Sequence, residues 1–469
     1  MKTPHTSSCP LHADTKASTT ANPGTSAWPP GPKAGLTGLR LVARMSRDLP
    51  GALAEWQSEF GDLVHVRTWP EHQVVVSEPR LVRELLVSQA GALVRWQRAR
   101  RIFSRIHGHS VLTAEGEAWR NKRQALQADF TRQAAQAFSP AILAATEQAL
   151  SAWPEQDDRW PIERALTSLT MDVIMRMLFS NGIGEDARRT EQAAHALMVA
   201  SNAEFYQPFS LPDWMPWQRG RRQARQVLER LIEDHLQTRL RLAREAWPED
   251  LLSRLLRLHL QQPQAWPLQA VRDECKTTFL AGHETVAATL TWWAWCMASH
   301  PEAQAAARAE ARQFAPEQAM GQAGAPWRYL VQTLQETLRL HPAAPILISR
   351  RALQPVTLGD WRLPAGTMYL VPVLLMHHDA RWFPQPRSFR PERFAPEAAR
   401  PPLGAYLPFG SGPRVCLGQH LAMSEMTLIA AQLLRRYELS VPEGQAAPEP
   451  AFYITRRPRE PLRLRIRRR

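Results

Sequence analysis

Cys416 is one of four cysteines in 469 residues, and it stands in the stretch FGSGPRVCLG (409–418), among glycines and an arginine. The residues that follow, LGQHLAMSEMTLIAAQLLRRY, have the spacing of an amphipathic helix. Cys416 therefore sits just ahead of a helix N-terminus, where unpaired backbone N–H groups favour the thiolate and lower a thiol's pKa from ~8.5. Gly410, Gly412 and Gly418 allow the backbone to turn tightly and lie against a flat ligand. Phe409 can pack on such a ligand, and Arg414 can pair with its carboxylates. A thiolate beside a slot for a large planar acid is what a haem iron needs from an axial cysteine. Two other chemistries use similar residues. A nucleophilic cysteine needs a His or Asn in a partner motif, and none is recognisable. A dinucleotide loop needs GxGxxG, which GSGPRV breaks at its last position, and no strand leads into a βαβ unit.

Three more groups of residues invite chemistry. AGHETVA (281–287) lies between VRDECKTTFL and ATLTWWAWCMA, which together predict one long helix. Gly282 weakens that helix, so the pair Glu284–Thr285 is expected to interrupt its backbone bonding locally. A carboxylate and a hydroxyl beside bound dioxygen can relay protons to it. Taken alone, Thr285 reads more readily as a hydroxyl bonded to a carbonyl of its own helix, and His283 reads as structural. In ETLRLHP (336–342), Glu336 and Arg339 share a helix face at i,i+3. An isolated pair of this kind is usually a solvated bridge of under ~1 kcal/mol. In GEAWRNKR (116–123), Trp119 and Arg123 stand i,i+4, an ordinary pairing on a basic helix.

With these four stretches in this order, the chain resembles the cytochrome P450 superfamily of haem-thiolate monooxygenases, from about residue 30 to the C-terminus. Phe409, Gly412, Arg414, Cys416 and Gly418 fill the FxxGxRxCxG signature, and AGHET fits [AG]Gx[DE]T. The resemblance implies haem b with Cys416 as its axial ligand. It implies that Trp119, Arg123 and Arg414 hold the propionates, with Arg350 or Arg351 as a further donor. It implies a buried network of Glu336, Arg339 and Arg393, the last from FRPERF. It also implies O2 as co-substrate and electrons from NAD(P)H, delivered by a separate ferredoxin or flavodoxin and its reductase. A peroxide-using haem-thiolate peroxygenase and a non-catalytic haem-binding protein keep the same fold; the intact Glu284–Thr285 pair speaks against the first, because peroxide already carries its protons.

The elements that must position these residues are mainly helical. LVHVRTW and HQVVVS (63–69 and 72–77) alternate like a hairpin, and PRLVRELLVSQ turns helical after its proline. Residues 89–115 show little amphipathic pattern. Helical periodicity then dominates from Ala114, with breaks expected at SP (139–140), WP (153–154), NGIG (181–184), 207–217 and QQPQAWP (261–267). Beyond Pro342 the pattern changes to short strands, ending in RLRLRIRRR, which alternates Leu or Ile with Arg. The fold class expected is mainly α with small β-sheets, one large domain over 31–469 with the triangular-prism shape of the resembled family, after a disordered tail at 1–30. WPPGPK is expected to form a stiff lead-in.

Composition narrows the setting. No run approaches the ~20 apolar residues that span a bilayer, and the polar, Ser/Thr-rich start is not a secretion signal. A cytoplasmic protein follows, and Cys9, Cys275, Cys296 and Cys416 show no zinc-like or disulfide spacing. The net charge of +14 and pI near 10.4 suggest an acidic partner. The positive residues are scattered and not interleaved with exposed aromatics, which argues against nucleic acid. An acidic electron carrier meeting RNKRQ (120–124) and the loop before Cys416 is the preferred reading. The oily stretch FYQPFSLPDWMPW (205–217) can close a lipophilic channel or touch a membrane surface. With 89–115 and Ile346, Leu347 and Ile348 it points to an apolar substrate, of the fatty acid, terpenoid or carotenoid class, handled by a monomer.

Overall fold

A 32-residue helix, Leu268–Ser299, runs through the middle of the protein, and along 286–298 nearly every side chain is buried. In this computed structural model the described residues are 28–315 and 326–469, apart from 183, 185, 186, 208, 209, 211 and 213. The expected tail at 1–30 therefore lies outside the described residues up to 27, while Trp28 is docked, stacked on His65 and His72 with ring centroids 4.5 Å apart in each case.

In chain order the helices are α1 (Leu39–Arg47), α2 (Leu49–Phe60), α3 (Pro79–Arg83), α4 (Gln97–His107), α5 (Gly116–Gln127), α6 (Arg132–Ser151), α7 (Ile162–Phe179) and α8 (Ala187–Phe205). They continue with α9 (Arg219–Arg241), α10 (Leu251–Gln261), α11 (Leu268–Ser299), α12 (Pro301–Gln313), α13 (Arg328–Leu340), α14 (Val373–His377) and α15 (Gln419–Arg436). The main core joins α6, α7, α11, α13 and α15 through residues such as Ile142, Leu178, Trp293, Leu334 and Ile429. Among the described residues no helix is long and apolar enough to cross a membrane.

The predicted hairpin forms β1 (Leu63–Thr68) and β2 (Glu71–Val76), paired antiparallel. With β3 (Leu93–Arg95), β5 (Arg350–Ala352) and β8 (Met368–Leu370) it makes one sheet in the order β1-β2-β8-β5-β3. β2 and β8 run parallel, and β5 is antiparallel to both β8 and β3. The C-terminal alternation is realised in β12 (Leu464–Arg468), which buries Leu464 and Ile466 and turns its arginines outward, between β4 (Gln156–Trp160) and β9 (Tyr437–Ser440). Pairs β6 (Val356–Leu358)/β7 (Trp361–Leu363) and β10 (Pro450–Phe452)/β11 (Arg456–Pro458) complete the small sheets.

Two expectations fail. The break at 139–140 is absent, because α6 runs through Pro140. Pro140 and Gln136, whose carbonyl loses its amide partner, both lie on the exposed face, where water can satisfy the carbonyl. Ser139, Ile142 and Leu143 on the opposite face are buried and hold the helix in place. The segment 89–115 is not patternless either: it contains β3 and α4, and Ala99, Ile102, Phe103 and Ile106 form a buried stripe at helical spacing.

Candidate active site

Cys416 precedes α15 by three residues, and its amide donates to the Phe409 carbonyl at 2.9 Å, closing the loop on itself. Two glycines in that loop have positive φ, Gly410 at 75° and Gly412 at 74°. At Gly412 a Cβ would lie 2.0 Å from the Leu86 carbonyl oxygen, so this glycine seats the loop on the short π-helical turn after α3. Gly410 meets only Leu347, at 3.7 Å. Phe409 packs partly buried against the main core, and Gly418 caps α15. Cys416 is exposed, yet it lies deep among protein atoms. Its thiol departs from expectation: burial pushes its pKa up, and the Gly418 amide and Arg123 oppose that rise without reversing it. A helix terminus alone does not compensate for desolvation of the thiolate; a coordinating metal ion does, by deprotonating the thiol outright.

Around the loop the structure gathers arginines. Arg123 donates to the Val415 carbonyl at 2.9 Å. Arg414 donates to the Ala114 carbonyl at 3.0 Å, pairs with Glu115 and lies 3.9 Å over the Trp119 ring. Arg350 bonds the Ile348 carbonyl, and Arg100 donates to the Thr113 carbonyl at 2.8 Å. Arg95, which the sequence did not single out, is 8% exposed and its Nε has no partner. The charges of Arg350, Arg414 and Arg100 depress Arg95, those of Arg350 and Arg100 depress Arg414, and Glu115 acts against the fall at Arg95, Arg350 and Arg414. Burial is the largest cause, and Arg350 and Arg414 are each pushed down to about 10. Consecutive residues of β5 face opposite ways, and Arg351, unlike Arg350, is bound to Glu71 at 2.6 Å.

Behind this region Glu336 and Arg339, both fully buried on α13, meet at 2.7 and 2.8 Å in a fork-to-fork pair. Arg393 Nε and the Arg390 amide both donate to the same carboxylate, at 3.2 and 2.9 Å. Arg339 also donates to the carbonyls of His377 and Pro386, each at 2.8 Å. The network expected from the sequence is thus assembled, with His377 as an unanticipated member.

The α11 residues separate. Thr285 Oγ1 donates to the Ala281 carbonyl at 2.9 Å, on a face where Ala281 is exposed. Glu284 points elsewhere and is buried, 2.8 Å from Arg457 Nε and 3.1 Å from Thr455 Oγ1. Burial alone would raise its pKa, but Arg457 and the groups beside it hold it below the ordinary value. Arg457 also bonds Glu163 at 3.1 Å. The expected interruption of the helix is not seen. Gly282 serves packing instead, since a Cβ there would lie 2.6 Å from Ile174 Cδ1 of α7. His283 is structural, its Nδ1 held by the Phe279 carbonyl at 2.6 Å.

The proposed basic face is thinner than its sequence. Lys122 turns inward to Glu274 at 2.9 Å, Arg123 turns toward the Cys416 loop, Arg414 of that loop turns onto Ala114, Glu115 and Trp119, and Arg120 alone of the RNKRQ cations is exposed. Of the oily stretch, 208, 209, 211 and 213 lie outside the described residues, while Trp214 and Trp217 are exposed. Leu347 lies against Gly410, whereas Ile346 packs on the N-terminal cluster of α1 and α2.

The profile of the Cytochrome P450 family matches residues 29–461. The chain belongs to the cytochrome P450 family. It is similar to Cytochrome P450 714D1 of Oryza sativa subsp. japonica, 30% identical over 88% of this chain and 77% of the relative. It also resembles cyclooctat-9-en-7-ol 5-monooxygenase of Streptomyces melanosporofaciens, 31% identical over 81% of this chain and 83% of the relative. A third relative is 11-oxo-beta-amyrin 30-oxidase of Glycyrrhiza uralensis, 32% identical over 70% of this chain and 66% of the relative. This P450 is accordingly an oxidoreductase of the haem-thiolate monooxygenase type. Its residues fit the prosthetic group: an exposed thiol on a glycine-opened loop lies near arginines that outnumber the single carboxylate, and the buried Arg95 Nε awaits an acceptor.

Proposed function

We propose that this P450 hydroxylates a lipophilic small molecule of the terpenoid, carotenoid or fatty-acid class, using O2 and electrons from a separate ferredoxin or flavodoxin. The observation that carries the site assignment is the placement of the Cys416 loop beside Arg95, Arg350 and Arg414. Cys416 would supply a thiolate ligand to haem b, and Arg123, Arg350 and Arg414, joined by Arg95, would hold its propionates. Trp119 braces Arg414 from below. When bound, the haem supplies oxygen activation and the oxidising power.

Thr285 presents its hydroxyl from the open face of α11, where Oγ1 would hold and pass on a proton during turnover. Glu284 supports that relay while anchored to Arg457. Two relatives are named for cyclooctat-9-en-7-ol and 11-oxo-beta-amyrin, both lipophilic ring compounds, which supports the substrate class. A monomer working in the cytoplasm as a single domain, with the exposed Trp214 and Trp217 free to touch a membrane surface, accords with these features.

The test is the spectrum of the reduced, carbon monoxide-bound protein. A strongly red-shifted Soret band that is lost in Cys416→Ala is the expected result. A band that survives the substitution refutes the ligand assignment.

A further inference from the structure

β5 divides two groups of cations. Arg350 faces the cluster near Cys416, while Arg351 faces the other way, onto a cavity of about 410 Å³. Among the described residues its walls include Glu71, Trp96, Arg98, Arg101, Arg105 and Arg351. Three of these arginines come from one side of α4, whose opposite side buries Ile102, Phe103 and Ile106.

The charge around this cavity is unbalanced. Glu71 is taken up by Arg351, which it meets through both carboxylate oxygens at 2.6 Å. The buried Glu204 is shared between Arg105 at 3.1 Å and Arg221 of α9 at 2.7 Å. Arg98 donates to the backbone carbonyls of Glu204 and Gln207. Arg101 is exposed and has no carboxylate within ion-pair reach among the described residues. Among the described residues the cavity wall itself holds four guanidinium groups and one carboxylate, that of Glu71. Beside them stands an apolar wall: Trp96 stacks on Phe205 with centroids 6.3 Å apart, and Phe205 meets Phe103 edge-on at 5.7 Å. Trp96 of the cavity wall follows directly after Arg95 of the cation cluster, so the two sites adjoin along the chain.

We propose that this cavity binds the carboxylate of an amphiphilic substrate, with Arg101 as its principal anchor and the hydrocarbon body running inward past Trp96. The inference rests on the monooxygenase reading and narrows it to lipophilic acids. A guanidinium presents paired N–H donors that match the two oxygens of a carboxylate, and in the same wall Nη2 of Arg351 already reaches both oxygens of Glu71. An incoming anion also relieves repulsion between Arg98 and Arg101, two cations of one helix face.

The experiment titrates haem-loaded protein with two matched pairs, dodecanoic acid with methyl dodecanoate and abietic acid with methyl abietate, following the Soret shift at low salt. In at least one pair the acid binds tenfold or more tightly than its ester. Arg101→Gln brings the acid to within threefold of the ester, Arg101→Glu weakens it further, and the ester stays within twofold throughout. Added salt weakens the acid alone. Equal affinity for acid and ester, equal loss of both in Arg101→Glu, or no response to either acid overturns the anchor. The carbon monoxide spectrum of each variant reports separately on the underlying reading: an intact thiolate signature with no acid preference removes the anchor only, and a missing signature removes both.

Discussion

Nε2 of His377 accepts the backbone amide of Leu407 at 2.8 Å, two residues before the loop that carries Cys416 begins. The carbonyl of the same residue accepts Arg339 Nη1 at 2.8 Å. One histidine therefore joins the buried ion pair to the cysteine loop. Nδ1 contacts the Arg339 carbonyl at 3.2 Å, so the ring is the neutral tautomer with its proton on Nδ1. Burial, and then the charge of Arg339, push its pKa down to about 3.

This has a pH consequence. The unfolded residue titrates near 6.5 and the folded one near 3, so its contribution to stability is complete above pH 6.5 and declines as pH falls toward 3. In denaturant unfolding at several pH values across that window, His377→Gln, which keeps an acceptor for Leu407, is expected to show a shallower decline than the parent. Parallel declines would count against this assignment.

The pair it braces is the most exposed to mutation. Glu336→Ala or Arg339→Ala leaves an unmatched charge in a site with no solvent access, at a cost of ~3–5 kcal/mol. Both variants are expected to be insoluble or to lose their haem, as measured by pigment content per polypeptide. Soluble, fully pigmented protein would refute this.

Much of the arrangement was readable in advance where the signal is local. The β1–β2 hairpin, the long α11 and the i,i+3 pair of Glu336 and Arg339 all follow from spacing along a few residues. What escaped depends on distant chain segments. Arg457 meets Glu284 across 173 residues, and Arg95 acquires its meaning from Arg350, opposite it in β3–β5 register. The Cys416 thiol was misjudged because a helix terminus is visible in a sequence while depth of burial is not. Pro140 was misjudged for a related reason: whether a proline breaks a helix depends on which face its lost hydrogen bond turns toward. The stripe in α4 was present in the spacing and was obscured by its arginines.

Thr285 offers a functional test. Thr285→Ala is expected to lower product formed per electron consumed, by up to the ~10²-fold typical of losing a positioned proton donor. Product formed with added hydrogen peroxide should be nearly unchanged. Equal loss along both routes would favour a steric role for the side chain.

Glu284 provides a second, acid-side test. Its folded pKa is held below the ordinary 4.5, so its contribution to stability is present above pH 4.5 and is lost as pH falls through the lower folded value. Glu284→Gln should be less stable at neutral pH, and the gap to the parent should close as both are acidified below 4.5. Thermal melts at pH 7 and pH 4 measure it; a gap that does not change with pH would show that Arg457 is not the governing contact.

Trp28 covers both rings of the His65–His72 pair, themselves 3.0 Å apart between Nε2 and Nδ1, and the nearby Pro30 carbonyl accepts the His65 amide at 2.9 Å. The first sheet is thus fastened from outside by the earliest described residues. A chain trimmed to start after position 30 would expose two stacked imidazoles to water and strip a backbone acceptor from the sheet's edge, so the trimming boundary for this protein belongs upstream of the tryptophan.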